Sequence, residues 1–254
     1  MPEPLSKLAR FLDQTLEVNM FPDAGPMGLQ VHGSEQVHNI VTAVSASREL
    51  FEQAAKRQAD MVLVHHGLFW NSDSRVIDPL LRERLRVLLA HNISLVSYHL
   101  ALDGHPTLGN NAQIIKALDF SQEDDGFAYT GDRPIGWFGS SNPPIAPAEL
   151  TRRITERIGP LHANYANGPD DIHRIAVCSG GGPRYIREAA EIGCDAFITG
   201  DLFEPAEMWS RELGIHFFAA GHYATEVFGV KALAGLLNHT HDCSATFVDL
   251  PTNA

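Results

Sequence analysis

Two runs of alternating apolar strand and amphipathic helix, one in each half of the chain, restrict the fold more than any other feature. Residues 40–44 read as a strand, 48–58 as a helix, 61–64 as a strand, 79–90 as a helix and 93–98 as a strand. A helix over 108–118 follows, opened by the polar run Gly109-Asn110-Asn111. The order then returns: strand 175–178, helix 183–192 stopped at Gly193, strand 196–199, helix 203–213 stopped at Gly214, strand 215–219 and helix 224–238. Alternation of this kind predicts α/β layers, with sheets flanked by helices. An offset of 135 lays Ile40 on Ile175, Val41 on Ala176, Ala54-Ala55 on Ala189-Ala190, Asp60 on Asp195 and His65-His66 on Gly200-Asp201. An offset of 123 lays His99 on His222 and Asp103 on Glu226. Shared architecture alone makes βαβ units resemble one another, and the offset changes between the two blocks; the coincidence of histidine and acid argues for duplication. The expected fold is therefore two pseudo-symmetric α/β lobes facing each other across one cleft. The first spans residues 1–118, the second, with a connecting segment, spans 119–254, and the two are expected to form one compact unit.

The rest of the chain fits around these runs. Leu5, Leu8, Leu12 and Leu16 are spaced for one face of an N-terminal helix, so that segment reads as neither a signal peptide nor a membrane span. Residues 21–33 are rich in Gly and Pro, end in Gly28-Leu29-Gln30-Val31-His32-Gly33, and read as a loop feeding a short strand. Between the lobes lie a hairpin over 127–138, Pro143-Pro144 and a helix over 147–158. A hydrophobic fraction of 44% is ordinary for a folded domain, and a formal net charge of -12 opposes binding to nucleic acid or an anionic membrane. Cys178, Cys194 and Cys243 make no disulfide framework and no C-x-x-C pair, which suits a reducing cytoplasm. Several of the 13 histidines, among them His32, His38, His91, His239 and His241, stand in polar or terminal contexts that predict solvation.

Other histidines stand where a site is expected. His65-His66-Gly67 follows the apolar run Met61-Val62-Leu63-Val64, so two imidazoles arrive at the end of a strand, the usual place for a site in an α/β sheet. Alternate side chains on a strand face opposite ways, so the pair serves one pocket only if the backbone turns, which Gly67 makes easy. Alone, the pair reads equally well as one core and one surface histidine. His222 and Glu226 are four apart at a predicted helix start and share a face. His99 and Asp103 have the same spacing in a segment that Gly104-His105-Pro106 marks as extended or looped. Imidazole with carboxylate suits zinc, iron, manganese or nickel. Five strong ligands, His65, His66, Asp103, His222 and Glu226, exceed a three-ligand catalytic zinc site and suit two metals that keep water. A closed site that only ties the lobes together is the competing reading. His99 stands as general base or as a partner to a ligand, and Tyr223 as a donor to substrate. Ser179-Gly180-Gly181-Gly182 reads as a tight βα turn before an anion site, and Asp201 either faces the cleft or caps the next helix.

At these residues the sequence resembles the Nif-three-like family, whose bacterial members are commonly labelled GTP cyclohydrolase 1 type 2 homologs. The resemblance rests on Gly28-Leu29-Gln30-Val31, Val64-His65-His66-Gly67, His99-Leu100-Ala101-Leu102-Asp103, Ile198-Thr199-Gly200-Asp201 and Ala220-Gly221-His222-Tyr223-Ala224-Thr225-Glu226. It implies a dimetal centre between two similar lobes, with His65, His66, Asp103, His222 and Glu226 as ligands, His99 near the metals, and a toroidal homo-hexamer. The approach Asp23-Ala24-Gly25-Pro26-Met27-Gly28 departs from the family's acidic, Asn-containing pattern, and Asp201 stands where many relatives carry Glu. The expected function is a metal-dependent hydrolase whose activated water attacks a nucleotide-like or heterocyclic small molecule, GTP by the family label. The alternative is a non-catalytic metal-handling or protein-interaction platform. A triphosphate calls for positive charge, and no basic cluster lies near the ligands in sequence.

Overall fold

The computed structural model describes residues 2–252. In chain order the elements are β1 (Glu3–Pro4), α1 (Leu5–Thr15), β2 (Gly28–Val31), β3 (Gln36–Val37), β4 (Asn39–Ser45), α2 (Arg48–Lys56), β5 (Met61–His66), α3 (Pro79–Ala90), β6 (Ser94–Ser97), α4 (Leu100–Gly104) and α5 (Asn110–Ala117). They continue with β7 (Ser121–Thr130), β8 (Arg133–Ile145), α6 (Pro147–Arg157), β9 (Ala163–Tyr165), β10 (Ile172–Cys178), α7 (Ile186–Glu191), β11 (Ala196–Thr199), α8 (Ala206–Leu213), β12 (His216–Ala219), α9 (His222–Thr240) and β13 (Ser244–Phe247). The described residues divide into two compact units, 2–102 with 229–250, and 103–228 with 251–252. That partition differs from the single cut at 118/119 read from the sequence. The cause is long-range pairing: β13, unmarked by any turn signal, adds itself parallel to β4 through Ser244↔Asn39 and Phe247↔Thr42, returning the C-terminal segment to unit 1.

Unit 1 holds a five-stranded sheet in the order β13-β4-β5-β6-β2, parallel except for β2, which runs antiparallel to β6. Strands buried on both faces read as continuous apolar runs, and Met61, Val62, Leu63 and Val64 are all fully buried. Leu50, Phe51 and Ala54 of α2 and Leu88 of α3 pack with Val62, Val64 and Leu95 in one cluster. Ser47 caps α2 by accepting from the Leu50 N–H, and Asp78 caps α3 by accepting from Leu81. The leucines of α1 are buried as their spacing requires, each contributing about 1.5–3 kcal/mol of transfer free energy.

Unit 2 holds a six-stranded sheet in the order β7-β8-β10-β11-β12-β9, with β10, β11 and β12 parallel. The expected hairpin is longer than its sequence signal: β7 and β8 pair from Thr130↔Arg133 out to Ser121↔Ser140, and Gly131 at φ 58° makes the turn. Phe127 and Phe138 stack across it at 4.9 Å, inside the core cluster that also takes Phe197 and Phe217. The repeat proposed from sequence has a structural counterpart in the registers. Ile40 pairs with Met61 and Ile175 with Ala196, which keeps the 135 offset, whereas Ser94 and His216, the next partners, are 122 apart (216 minus 94).

The His99 to Asp103 segment is helical rather than extended or looped, because Leu100-Ala101-Leu102 are sound helix formers and the helix receives a cap from far away. Asp23 accepts from the Leu100 N–H at 2.9 Å, satisfying a donor that the first turn leaves without an intrahelical partner. Among the described residues no helix is long and apolar enough to cross a membrane.

Candidate metal centre

In unit 1 the strand end of β5 brings the two histidines together as required. His65 is fully buried, His66 is half-buried, and their ring centroids are 4.7 Å apart. His99 completes the group, with centroids 5.1 Å from His65 and 5.5 Å from His66, and the ligand atoms of the three imidazoles all lie within 4.8 Å of one another. Gly67 follows the last residue of β5, and the chain bends at Leu68. Gly67 also provides space: a Cβ there would collide with the Gln30 side-chain amide. Gln30 uses that close approach to accept from the Leu68 N–H at 2.8 Å and to donate to the Pro26 carbonyl at 2.8 Å, which binds the Gly28–Val31 strand to the loop after the histidines.

Each imidazole is oriented through Nδ1. His65 Nδ1 meets the Tyr98 carbonyl at 2.9 Å, and a carbonyl only accepts, so Nδ1 carries the proton and Nε2 carries the lone pair. His66 Nδ1 lies 2.9 Å from Ser45 Oγ, at the end of the neighbouring strand β4. His99 Nδ1 donates to Asp23 Oδ1 at 2.8 Å. Burial opposes ionisation of Asp23, yet the bond to His99, its charge and the Leu100 N–H outweigh that and draw the carboxyl below its ordinary pKa. Trp70 sets its ring edge-on to His99 at 5.1 Å.

In unit 2, Gly221 at φ 91° turns the chain from β12 into α9, and His222 is the first helical residue. Its Nδ1 donates to Asp201 Oδ1 at 2.9 Å, and its Nε2 lies 3.1 Å from Glu226 Oε1, so the i, i+4 pair meets on one face as predicted. The hydrogen bond to Glu226 lifts the His222 pKa to about 9, against burial and with help from the charges of Glu226 and Asp201. Glu226 is 3% exposed. Gly180, at φ 53°, lies directly against it: a Cβ there would overlap Glu226 Oε1 and come 3.1 Å from His222 Nε2. Its N–H donates to Thr225 Oγ1 at 3.0 Å and that of Ser179 to Asn111 Oδ1 at 2.7 Å, so these two amides of the glycine turn serve the fold.

Asp103, on α4, is buried in unit 2, where Oδ1 accepts from Asn110 Nδ2 at 2.8 Å and Ser179 Oγ at 3.1 Å. Tyr223 is buried on α9. Sequence reasoning missed Asp23, Ser45, Trp70, Asn110 and Asn111 as supports. Two local signals were present: an acid in a Gly/Pro loop, and two adjacent asparagines at the start of a helix.

These donors suit a metal. Ligating histidines characteristically donate their other ring nitrogen to a carboxylate or carbonyl. His65, His99 and His222 have such a partner at Nδ1, and His66 has a hydroxyl there. A separation of 3.1 Å between His222 Nε2 and Glu226 Oε1 is also what two ligands on one ion need when each bond is about 2.0–2.2 Å. The sequence matches the Duf34/NIF3 (NGG1p interacting factor 3) family over residues 4–253. It is 42% identical over 252 residues to a protein of Salmonella typhimurium named GTP cyclohydrolase 1 type 2 homolog, covering 98% of this chain and 99% of that relative. An Escherichia coli protein of the same name is equally similar, at 42%. Among solved structures, protein ybgI, described as of unknown function, shares 40% identity with a TM-score of 0.93 over 99% of this chain and all of that one. A crystal structure from Thermus thermophilus shares 30% identity with a TM-score of 0.87, again over 99% of this chain and 100% of that one. With a family match across nearly its full length and relatives this similar at both levels, the chain belongs to the Duf34/NIF3 family.

Proposed function

We propose that this protein is a metal-dependent hydrolase acting on a heterocyclic or nucleotide-like small molecule, with His65, His66, Asp103, His222 and Glu226 holding two divalent ions. The observation that carries the reading is the anchoring of four histidines through Nδ1, an arrangement characteristic of metal-ligating imidazoles and their near neighbours. Divalent ions there supply Lewis acidity and bring the pKa of a bound water to about 7. The side chains do the rest. His99, tied by Asp23, is positioned to take or return a proton at Nε2, and Tyr223 is the hydroxyl donor to substrate in this reading. Trp70 closes the unit 1 imidazole group with a flat apolar surface suited to a heterocycle.

A cytoplasmic homo-hexameric ring belongs to the same proposal, and light scattering on purified protein tests the assembly. The function is tested by elemental analysis of wild type and His222→Ala with turnover of GTP and of uncharged purine and pteridine heterocycles measured in parallel. Two metals per wild-type chain, fewer in the variant, and turnover lost with the metal support the hydrolase. Two metals without turnover of any heterocycle leave the metal-handling platform. Absence of metal after growth with zinc, iron, manganese and nickel supplied sinks the proposal.

A further inference from the structure

Tyr98 joins two of the candidate donors in unit 1, standing directly before His99 and holding His65 by a hydrogen bond, while its side chain reaches α1. It follows the last residue of β6 and is fully buried. Its N–H donates to the Val64 carbonyl at 3.0 Å, and its own carbonyl accepts from His65 Nδ1 at 2.9 Å. The preceding residue, Ser97, donates from Oγ to the His65 carbonyl at 3.0 Å. Consecutive residues therefore hold His65, one by its backbone and the other by its ring.

The far end of Tyr98 is fixed as well. A buried hydroxyl without a partner is costly, and this one donates to Asp13 Oδ1 of α1 at 2.7 Å, since a carboxylate only accepts. The Ala9 carbonyl, one turn earlier on the same helix, is 3.4 Å away and is the weaker alternative. Asp13 can come this close because residue 28 is a glycine. Gly28, at φ 92°, pairs with Ser97, and a Cβ on it would stand 3.1 Å from Asp13 Oδ1. The first residue of the Gly28-Leu29-Gln30-Val31 motif thus keeps the approach to Tyr98 open.

We infer that Asp13 and Tyr98 are positioning residues for the metal centre, resting on the ligand role proposed for His65. The bond to Asp13 pins the Tyr98 ring to α1, the pinned residue presents its carbonyl at a fixed point, and that carbonyl sets the tautomer and aim of the His65 imidazole. A side chain in a close-packed interior transmits displacement to its own backbone, so a slack anchor at the hydroxyl is felt at the carbonyl. His99, the next residue, shares the anchor. Partners that orient ligating histidines are worth about 10- to 100-fold in metal affinity, and Asp13 and Tyr98 act one contact further out, so about three- to tenfold is expected.

The test measures Co²⁺ affinity by chelator competition, the Co²⁺ absorption spectrum and the urea midpoint on wild type, Tyr98→Phe, Asp13→Ala, Asp13→Asn and Gln14→Gly. Tyr98→Phe is expected to weaken Co²⁺ binding by that factor and to shift the visible bands. Asp13→Ala leaves the Ala9 carbonyl as a poor substitute and should show a smaller loss in the same direction. Asp13→Asn keeps a neutral acceptor and should recover most of the wild-type affinity and spectrum. Gln14→Gly weakens the same helix at an exposed position, so it should lower the midpoint and leave affinity and spectrum unchanged. Wild-type affinity and spectrum in Tyr98→Phe overturn the inference. An equal loss in Gln14→Gly does so too, because affinity then follows stability alone. Wild type that binds no Co²⁺ defeats the metal reading instead, and the positioning is then judged on metal-free protein with isotope-labelled histidine, where nitrogen NMR separates the two imidazole tautomers. His65, assigned by its loss in His65→Gln, supports it if protonated at Nδ1 in wild type and mixed in Tyr98→Phe. One unchanged tautomer in both overturns it.

Discussion

The carboxylate of Asp23 divides its two oxygens between His99 and the helix that follows it: Oδ1 accepts from His99 Nδ1 at 2.8 Å and Oδ2 from the Leu100 N–H at 2.9 Å. One residue of a Gly/Pro loop thus caps α4 and fixes the tautomer and aim of an imidazole at its start. Asp23→Asn keeps an acceptor for Leu100 but replaces a charged partner of His99 by a neutral one. Metal affinity, measured by competition with a chromogenic chelator, is expected to fall about 10- to 100-fold. Asp23→Ala removes the cap too, and is expected to lose a further 0.5–2 kcal/mol or so of unfolding free energy in urea. Equal metal affinity in all three proteins contradicts this role.

Gly180→Ala drives a Cβ into Glu226 Oε1 on backbone at φ 53°. Gly193→Ala is the matched control, with φ 86° and nothing within 4 Å of the new Cβ. The control is expected to cost only the left-handed backbone penalty, about 1–2 kcal/mol. Gly180→Ala should cost more, and should also reduce bound metal because Glu226 must move. Matching thermal midpoints and metal contents for the two variants argue against a special role for the glycine.

Trp70 lies 5.1 Å from His99 and 6.2 Å from His66 by ring centroids, whereas Trp137 donates to the Gly104 carbonyl in the core of unit 2. Paramagnetic Co²⁺ or Ni²⁺ at the unit 1 imidazoles should therefore quench a fraction of the tryptophan fluorescence, and Trp70→Phe should abolish that fraction while leaving metal stoichiometry intact. Quenching that survives in Trp70→Phe places the ion elsewhere.

Burial pushes the Cys194 thiol up to about 12 and Cys178 higher still. At pH 8 the native Cys194 thiolate fraction is then about one in ten thousand, so iodoacetamide should leave both residues unmodified while denatured protein reacts at all three cysteines. The sign for stability follows from the raised folded pKa. The contribution is complete below the unfolded thiol value near 8.5 and declines as pH rises toward 12, because only the unfolded chain readily gives up the proton. The urea midpoint should be lower at pH 10 than at pH 8, and less so in Cys194→Ala. Rapid alkylation of Cys178 or Cys194 in native protein at pH 8 contradicts the burial argument.

Local periodicity by itself determined much of this protein. The leucine stripe of α1, the apolar runs of β4, β5, β10 and β11 and the glycine stops after two helices are short-range patterns, and a strand buried on both faces has no way to hide its composition. The same locality made His65-His66 and the His222, Glu226 pair legible, since two residues four apart at a helix start share a face wherever the helix packs. The tertiary structure alone decided what depends on residues distant in sequence. Asp23 reaches His99 across 76 positions, and Asn111 reaches Ser179 across 68. A strand at 244–247 exists because β4 offers it an edge. Gly67 leaves the space that the Gln30 side chain fills from 37 positions away. His241 sits in a polar terminal stretch and is nonetheless buried, because Glu3 and Phe11 from the other end of the chain enclose it. In each case the deciding contact joins segments whose sequences bear no mark of one another, and only chain folding supplies the partner.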